Sequence, residues 1–352
     1  MTAASAVTEG ALAQHRALHR RRALVLVGAT TLLLALLLVD LLVGPALLGV
    51  GEVARALITP SAQSGTTGII VWTLRLPMSL MAIVVGMALG VAGAEAQTVL
   101  DNPIADPYTL GLSAAAGFGA ACAILFGAGL PIDPLYAAPT CAFLCCALGC
   151  GIVYAIARLR GAQAQVMVLA GIAVLFMFQA LLTLLQYQAS PEVLQSIVFW
   201  LFGSLARANW TKVGIVALLL AAVVPVLAGD AWRLTALSLG EDRARALGVR
   251  VEALRLRVFT CISILTAVAV CFVGTIGFIG LVAPHVARFL VGEDQRFLLP
   301  LSALAGAVLL LAASIASKTI VPGAVYPLGV VTALVGVPFF LVLVLRDGRS
   351  LA

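Results

Sequence analysis

Residues that could do chemistry are few in this sequence of 352 residues. The three histidines, His15, His19 and His285, are too scattered for a metal site, and the motifs H-E-x-x-H and G-x-S-x-G are absent. Neither lysine, Lys212 nor Lys318, is preceded by glycine, so this chain lacks the G-x-x-x-x-G-K-[ST] loop that cradles ATP phosphates. We therefore expect no catalytic residue, no metal site and no cofactor bound by this chain.

A stripe of polar side chains is the clearest remaining candidate. Gln179, Thr183, Gln186 and Ser190 follow i, i+4, i+7 and i+11 spacing within an apolar run, which places them on one face of a helix. Polar side chains at membrane depth face a protein interior or a wet cavity rather than lipid. The stripe therefore indicates either a translocation pathway or hydrogen bonds between helices.

Glu95 and Gln97 form a second polar site, near the inner end of another apolar run. An acid inside a membrane is a candidate functional residue, for example as a proton carrier. The same run carries small residues at four-residue spacing, including Gly86 and Gly90, and such stripes let helix backbones approach closely. Plain helix packing explains the glycines as well as a role in transport does.

The composition identifies the class of protein that must position these residues. Apolar residues make up 62% and charged residues 10%, with a mean hydropathy of +1.15, against about 45–50% and about 25% in soluble domains. The net charge of +6 is spread too thinly for a nucleic-acid binder. All seven cysteines lie in apolar runs, as buried thiols do. We expect an all-α polytopic membrane protein that forms a single domain over residues 1–352.

The apolar runs and the basic residues predict a topology. Among the 21 Lys and Arg residues, all but Arg55, Arg75, Arg207, Lys212 and Lys318 fall on one predicted side, which the positive-inside rule makes cytosolic. Both termini and the segment 1–22 are then cytosolic, and the protein is a multi-pass protein of the cell inner membrane. Ten spans are predicted, at about 23–43, 78–98, 110–130, 135–157, 164–187, 211–228, 257–275, 277–292 (a short one), 298–317 and 326–345.

A charged connection, residues 230–257, lies on the cytosolic side in this topology. Ser238-Leu239-Gly240-Glu241 fits an S-x-x-E capping box, which predicts a short helix from Asp242 to Leu247 that Gly248 terminates. The apolar side chains of this segment have no core of their own to enter. They indicate a docking surface for a partner, or a helix that lies on the membrane.

These features together resemble a known family. The sequence is similar to the iron-siderophore, haem and cobalamin permeases, which are the transmembrane subunits of type II ABC importers. The resemblance covers almost the whole chain after about residue 50. The matching segments are Arg75-Leu76-Pro77, Gly86 to Gly93, Gln97, Asn102 to Pro107, Leu110-Gly111, Phe199 to Leu205, Leu239-Gly240-Glu241, Ala244-Arg245, Leu247-Gly248, Gly277 to Arg288, Leu299 to Ala303 and Pro327 to Phe340.

The resemblance implies partners and residue roles. Two permease subunits, expected to be two copies of this chain, would surround a central pathway, with two ATPase chains that bind ATP-Mg at the inner face and a soluble substrate-binding protein outside. Arg55 and Lys318 would dock the binding protein. The implied coupling residues are Ser238, Leu239, Gly240, Glu241, Ala244, Arg245, Leu247 and Gly248. The implied pathway residues are Gly86, Gly90, Gln97, Gln179, Thr183, Gln186 and Ser190.

Three positions depart from the family pattern. Met78 stands where a second Arg is usual after Arg-Leu-Pro, Ser314 where an Asp is common, and Val325 where a Glu is common. These departures weaken electrostatic arguments about the outer ends of the ninth and tenth spans.

The sequence therefore predicts ten transmembrane helices in a type II ABC importer permease fold. The predicted function is inward transport of an iron chelate, with a ferric siderophore ahead of haem or cobalamin. Two alternatives remain open, a proton-coupled secondary transporter that uses Glu95 and an intramembrane scaffold. The sequence does not select the chelate, nor does it distinguish a homodimer from a pair of related permeases.

Overall fold

The computed structural model describes residues 3–44, 48–59, 65–127, 133–321 and 324–347, and no strand occurs among them. A π-helical turn, Ile70–Arg75, joins the helices Thr66–Ile69 and Leu76–Val99. The helices are α1 (Ala3–Leu42), α2 (Val50–Ile58), α3 (Thr66–Ile69), α4 (Leu76–Val99), α5 (Leu112–Phe126), α6 (Pro134–Leu159), α7 (Ala164–Gln188), α8 (Pro191–Leu201), α9 (Trp210–Gly229), α10 (Ala231–Leu237), α11 (Glu241–Ala246), α12 (Val251–Val273), α13 (Ile279–Val291), α14 (Gln295–Thr319) and α15 (Leu328–Asp347).

The described residues include seven helices that are long and apolar enough to cross a membrane. The predicted short eighth span, residues 277–292, contains the 13-residue apolar helix α13. Helix α5 is shorter than the predicted third span, whereas α15, with 20 residues, has the length predicted for the tenth span. The end of the predicted third span, residues 128–130, lies outside the described residues. The all-helical membrane architecture agrees with the sequence analysis.

The second predicted span was placed too late in the sequence. Residues 44–77 were expected to form an outer connection, but the helix that ends at Val99 already begins at Thr66. Because it runs through the π-helical turn into α4, Arg75 lies inside a helix and is buried. Its guanidinium donates to the carbonyls of Leu41 (2.6 Å) and Leu42 (3.0 Å), and so satisfies acceptors at the C-terminal end of α1.

Helix α4 lies at the centre of the molecule, packed against α9, α12, α13 and α14. Its small residues allow contact between backbones. A β-carbon added to Gly90 would lie 2.2 Å from the carbonyl oxygen of Ser302, and one added to Gly93 would lie 1.8 Å from that of Gly280. Lipid provides no hydrophobic drive between helices, so this close packing is a main source of their association. The stripe therefore positions α13 and α14 on α4.

Replacement of Gly90 by alanine tests this packing. We expect Gly90→Ala to destabilise the fold by about 1–3 kcal/mol, because the added carbon overlaps backbone atoms that have no room to withdraw. The measurement is thermal unfolding of the purified protein in detergent. Gly214→Ala in α9 is the matched control, since a β-carbon there meets nothing within 4 Å. Equal unfolding temperatures for the two variants would contradict the packing argument.

Candidate functional site

The charged connection folds as two short helices, α10 and α11, before α12 begins at Val251. The predicted capping box was wrong. Ser238 has helical backbone angles at the end of α10, and its hydroxyl donates to the carbonyl of Thr235 (2.9 Å). Gly240 is instead the N-cap of α11, and its φ of +109° is one that few other residues adopt. The predicted stop is confirmed, because Gly248 has φ +82°.

Helix α11 presents one side to the molecule and the other to the surface. Ala244 is completely buried, whereas the side chains of Leu239 and Leu247 on either side of the helix are 55% and 54% exposed. Arg245 pairs with Glu241 (2.7 Å) and Glu252 (2.6 Å) at the surface. Two leucines beside a charged, ion-paired helix form an exposed apolar patch, which in this setting indicates a protein contact.

Three of the four residues of the polar stripe share α7, which packs on α5 and α6. The side chains of Gln179 and Thr183 are exposed and that of Gln186 is half-buried, and the Thr183 hydroxyl donates to the Gln179 carbonyl (2.9 Å). The exposed face they occupy also carries large apolar side chains, among them Phe176. Within the described part of the chain, no other helix covers this face of α7.

Ser190 does not belong to this face, so the four-residue stripe was wrong at its end. Helix α7 stops at Gln188, and Ser190 is the N-cap of α8, where its hydroxyl accepts from the amide of Val193 (3.4 Å). Pro191 causes the break, because the residue before a proline avoids the helical region. Helix α8 was not predicted, although Ser-Pro-Glu at 190–192 is typical of a helix start.

The structure places Gly86 and Gly90 in a contact between helices and not at a cavity. Both are buried, and a β-carbon on Gly86 would lie 2.4 Å from the carbonyl oxygen of Gly306. They belong to the contact between α4 and α14, which was the simpler interpretation of the stripe. A residue that lines a pathway must face a cavity, and these face a neighbouring backbone.

Gln97 is likewise internal rather than open to a pathway. It is 3% exposed, and its side-chain oxygen accepts a short hydrogen bond from the guanidinium of Arg288 on α13. Arg288 also pairs with Glu293 (3.0 Å). Gln97 therefore fixes the C-terminal part of α13 in position against α4.

Glu95 is fully buried in α4, and neither of its carboxylate oxygens has a hydrogen-bond partner among the described residues. A proton carrier needs contact with water on at least one side during its cycle. The structure gives Glu95 no exposed surface, so it lends no support to a secondary transporter that uses this residue.

The two predicted docking residues differ in exposure. Arg55 lies exposed on α2. The side chain of Lys318 is only 6% exposed, and its ammonium pairs with Asp40 of α1 at 2.7 Å. Lys318 therefore does not present a free charge to a partner in this structure. Arg207, on the connection between α8 and α9, is exposed, and the sequence analysis counted it as outer without giving it a role.

The pair of Lys318 and Asp40 also explains one departure from the family pattern. Ser314 stands where an Asp is common, and its hydroxyl donates to Asp40 (2.9 Å). The carboxylate needed beside Lys318 thus comes from α1 instead of α14. Met78 is half-buried and packs against the core. Nothing in the structure explains Val325, which is half exposed.

A cavity of about 880 Å³ lies between the connection after α4, the end of α8, the segment before α13, and α15. Its lining is mostly apolar, with Phe202, Phe278 and Phe340 among the side chains. Asp106 supplies a carboxylate, and burial raises the pKa of Asp106 to about 6 while the amide of Tyr108 opposes this shift. The cavity suits a bulky ligand with little charge. No group of three metal-binding side chains occurs in the described part of the chain.

Comparison with known proteins identifies the family. Residues 32–346 match the FecCD transport family. The chain belongs to this family. It is 40% identical over 314 residues to an ABC transporter permease protein of Methanocaldococcus jannaschii, and the match covers 87% of this chain and 89% of the relative. It is 35% identical over 315 residues to the hemin transport system permease protein of Yersinia pestis, with 89% and 94% covered.

A solved structure confirms the architecture expected for a FecCD permease. It is described as an inward-facing conformation of a metal-chelate type ABC transporter, with a TM-score of 0.81 and 34% sequence identity. The match covers 91% of this chain and 98% of that one. The resemblance found in the sequence is therefore confirmed at the level of family and fold.

The buried pair of Asp40 and Lys318 yields a stability prediction. Asp40→Asn removes the counter-charge of a buried ammonium, and we expect a loss of about 3–5 kcal/mol in unfolding free energy. The double variant with Lys318→Met should recover most of that loss, because no buried charge is left unpaired. Chemical unfolding in detergent measures both. Additive losses in the double variant would contradict the direct coupling of the two side chains.

Proposed function

We propose that this chain is the transmembrane permease subunit of an ATP-driven importer that carries an iron chelate into the cytoplasm. A ferric siderophore is the leading cargo, followed by haem and cobalamin. The observation that carries the proposal is α11, a short surface helix with Leu239 and Leu247 exposed beside it, in a chain that lacks its own phosphate-binding loop. The energy source would then be another chain that docks on this surface.

The proposed topology has ten spans, with both termini cytosolic, in the cell inner membrane. Seven long apolar helices, the 20-residue α15 and the shorter helices α5 and α13 support the number. The short helices α5 and α13 lie against longer neighbours, which reduces their exposure to lipid. Residues 1–22 and the connection 230–257 would lie in the cytosol, and α11 would act there as the coupling helix.

Two copies of the permease would form the pathway, with the exposed face of α7 in each copy turned to the other. The polar side chains of Gln179, Thr183 and Gln186 suit a wet passage better than lipid, which supports this arrangement. Arg55 and Arg207 are the exposed basic residues proposed to meet acidic side chains of a soluble binding protein. Two ATPase chains, which bind ATP-Mg, would complete the assembly.

Transport in reconstituted vesicles tests the proposal. The permease, co-purified with its ATPase, is placed in proteoliposomes, and uptake is measured with iron-labelled siderophores, haemin and cobalamin. We expect uptake of one of these classes only when ATP-Mg is available to the ATPase. Uptake driven by a proton gradient without ATP would contradict the proposal, and so would the absence of transport for all three classes.

Variants of the docking surface belong to the same experiment. Leu247→Asp should reduce both ATPase co-purification and uptake, because a charge replaces an apolar contact at the centre of the proposed interface. Leu18→Asp is the matched control, since Leu18 is an exposed leucine of α1 within the predicted cytosolic segment. Undiminished co-purification with Leu247→Asp would remove α11 from the ATPase interface.

A further inference from the structure

A single buried arginine joins three segments at the end of the molecule that carries α11. The side chain of Arg255, in the second turn of α12, is only 4% exposed. Its Nε donates to the carbonyl oxygen of Val99 at 2.9 Å, and its Nη1 donates to that of Ala162 at 3.4 Å. Its Nη2 donates to the carboxylate of Glu241 at 2.7 Å.

The three acceptors belong to segments that are far apart in the sequence. Val99 is the last residue of α4, so its carbonyl is one of those that a helix leaves unsatisfied. Ala162 lies in the turn between α6 and α7 and has φ +49°, a value uncommon for a residue with a β-carbon. Glu241 is the first residue of α11. The guanidinium therefore satisfies a hydrogen-bond acceptor in each of the three segments.

A cleft of about 750 Å³ lies among the same three segments. Its walls are the connection after α4, the first turns of α7 and the start of α11, and Arg255 lines it together with Glu241 and Arg245. Both polar and apolar side chains line the cleft. The guanidinium thus links the walls of an open space, rather than filling a solid core.

We propose that Arg255 is a positioning residue that transmits movement of α11 to the end of α4 and to the turn between α6 and α7. The proposal rests on the proposed function, in which an ATPase moves α11. A guanidinium is suited to this task because its donors lie in one rigid plane, so a displacement of Glu241 changes the geometry at the two carbonyls. Lysine has a point charge on a flexible stem and cannot hold three acceptors in a fixed arrangement.

The chain offers a matched control in Arg245. Its guanidinium also pairs with Glu241 at 2.7 Å, but the side chain is half exposed and its other partner is Glu252. No hydrogen bond joins Arg245 to Val99 or Ala162 in the described residues. Arg245→Gln therefore removes a bond to the same carboxylate without detaching the other two segments.

The first test compares transport with ATP hydrolysis in the full reconstituted complex. We expect Arg255→Gln and Arg255→Lys to keep ATPase binding and ATP hydrolysis while the amount of chelate imported per ATP falls by about tenfold, a typical size for coupling between sites. Arg257→Gln removes a half-exposed guanidinium of the same helix that, among the described residues, pairs with Asp230 and with none of the three segments, and it should stay near the wild-type ratio. Normal coupling in both Arg255 variants would overturn the proposal.

Hydrogen exchange of the purified permease supplies a second measurement that does not depend on transport. Arg255→Gln should increase exchange together at residues 100–102, at 160–163 and in α11, whereas Arg245→Gln should affect α11 alone. An increase confined to α11, or none, would overturn the proposal. If the wild-type complex fails to import any chelate with ATP, the proposed function fails, and the exchange result still decides whether Arg255 joins the three segments.

Discussion

Backbone contact around α4 is the constraint on which the rest of this structure depends. Helices in lipid gain little from burying apolar side chains against each other, so their arrangement is fixed by close packing and by a few polar bonds. Gly90 and Gly93 bring α14 and α13 onto α4 at distances that admit no β-carbon. Arg75 then joins the helix system of α4 to the C-terminal end of α1, and Asp40 of α1 pairs with Lys318 of α14.

The polar bonds at the other end connect this packed centre to the proposed docking surface. Arg255 reaches from α12 to the last carbonyl of α4 and to Glu241 of α11, while Arg288 joins α13 to Gln97 of α4. These bonds lie where helices end and the backbone has free acceptors. A force on α11 therefore has a short, hydrogen-bonded route to the helix against which the others pack.

The sequence predicts the class of fold well, because hydropathy reports directly on which segments are apolar and long enough to lie in lipid. It also predicts the stop of α11 at Gly248. It fails where one pattern fits two environments: Gly86 and Gly90 suit a pathway or a helix contact, and only the position of α14 decides between them. The charge of Lys318 is hidden by Asp40, a partner 278 positions away that no local pattern identifies. Ser190 was assigned to the face of α7 because the periodic spacing was extended up to Pro191, beyond the end of the helix at Gln188.

The central claim is that α11 and the C-terminal end of α4 move as one unit, and a distance between spin labels tests it most directly. Labels at Asp242 of α11 and at Ile104 after α4, both exposed, are placed in a complex whose native cysteines are replaced. We expect one narrow distance distribution that is the same without nucleotide and with bound ATP, while the distance between the Asp242 labels of the two copies changes. A nucleotide-dependent change of several ångströms between Asp242 and Ile104 of one chain would contradict the claim.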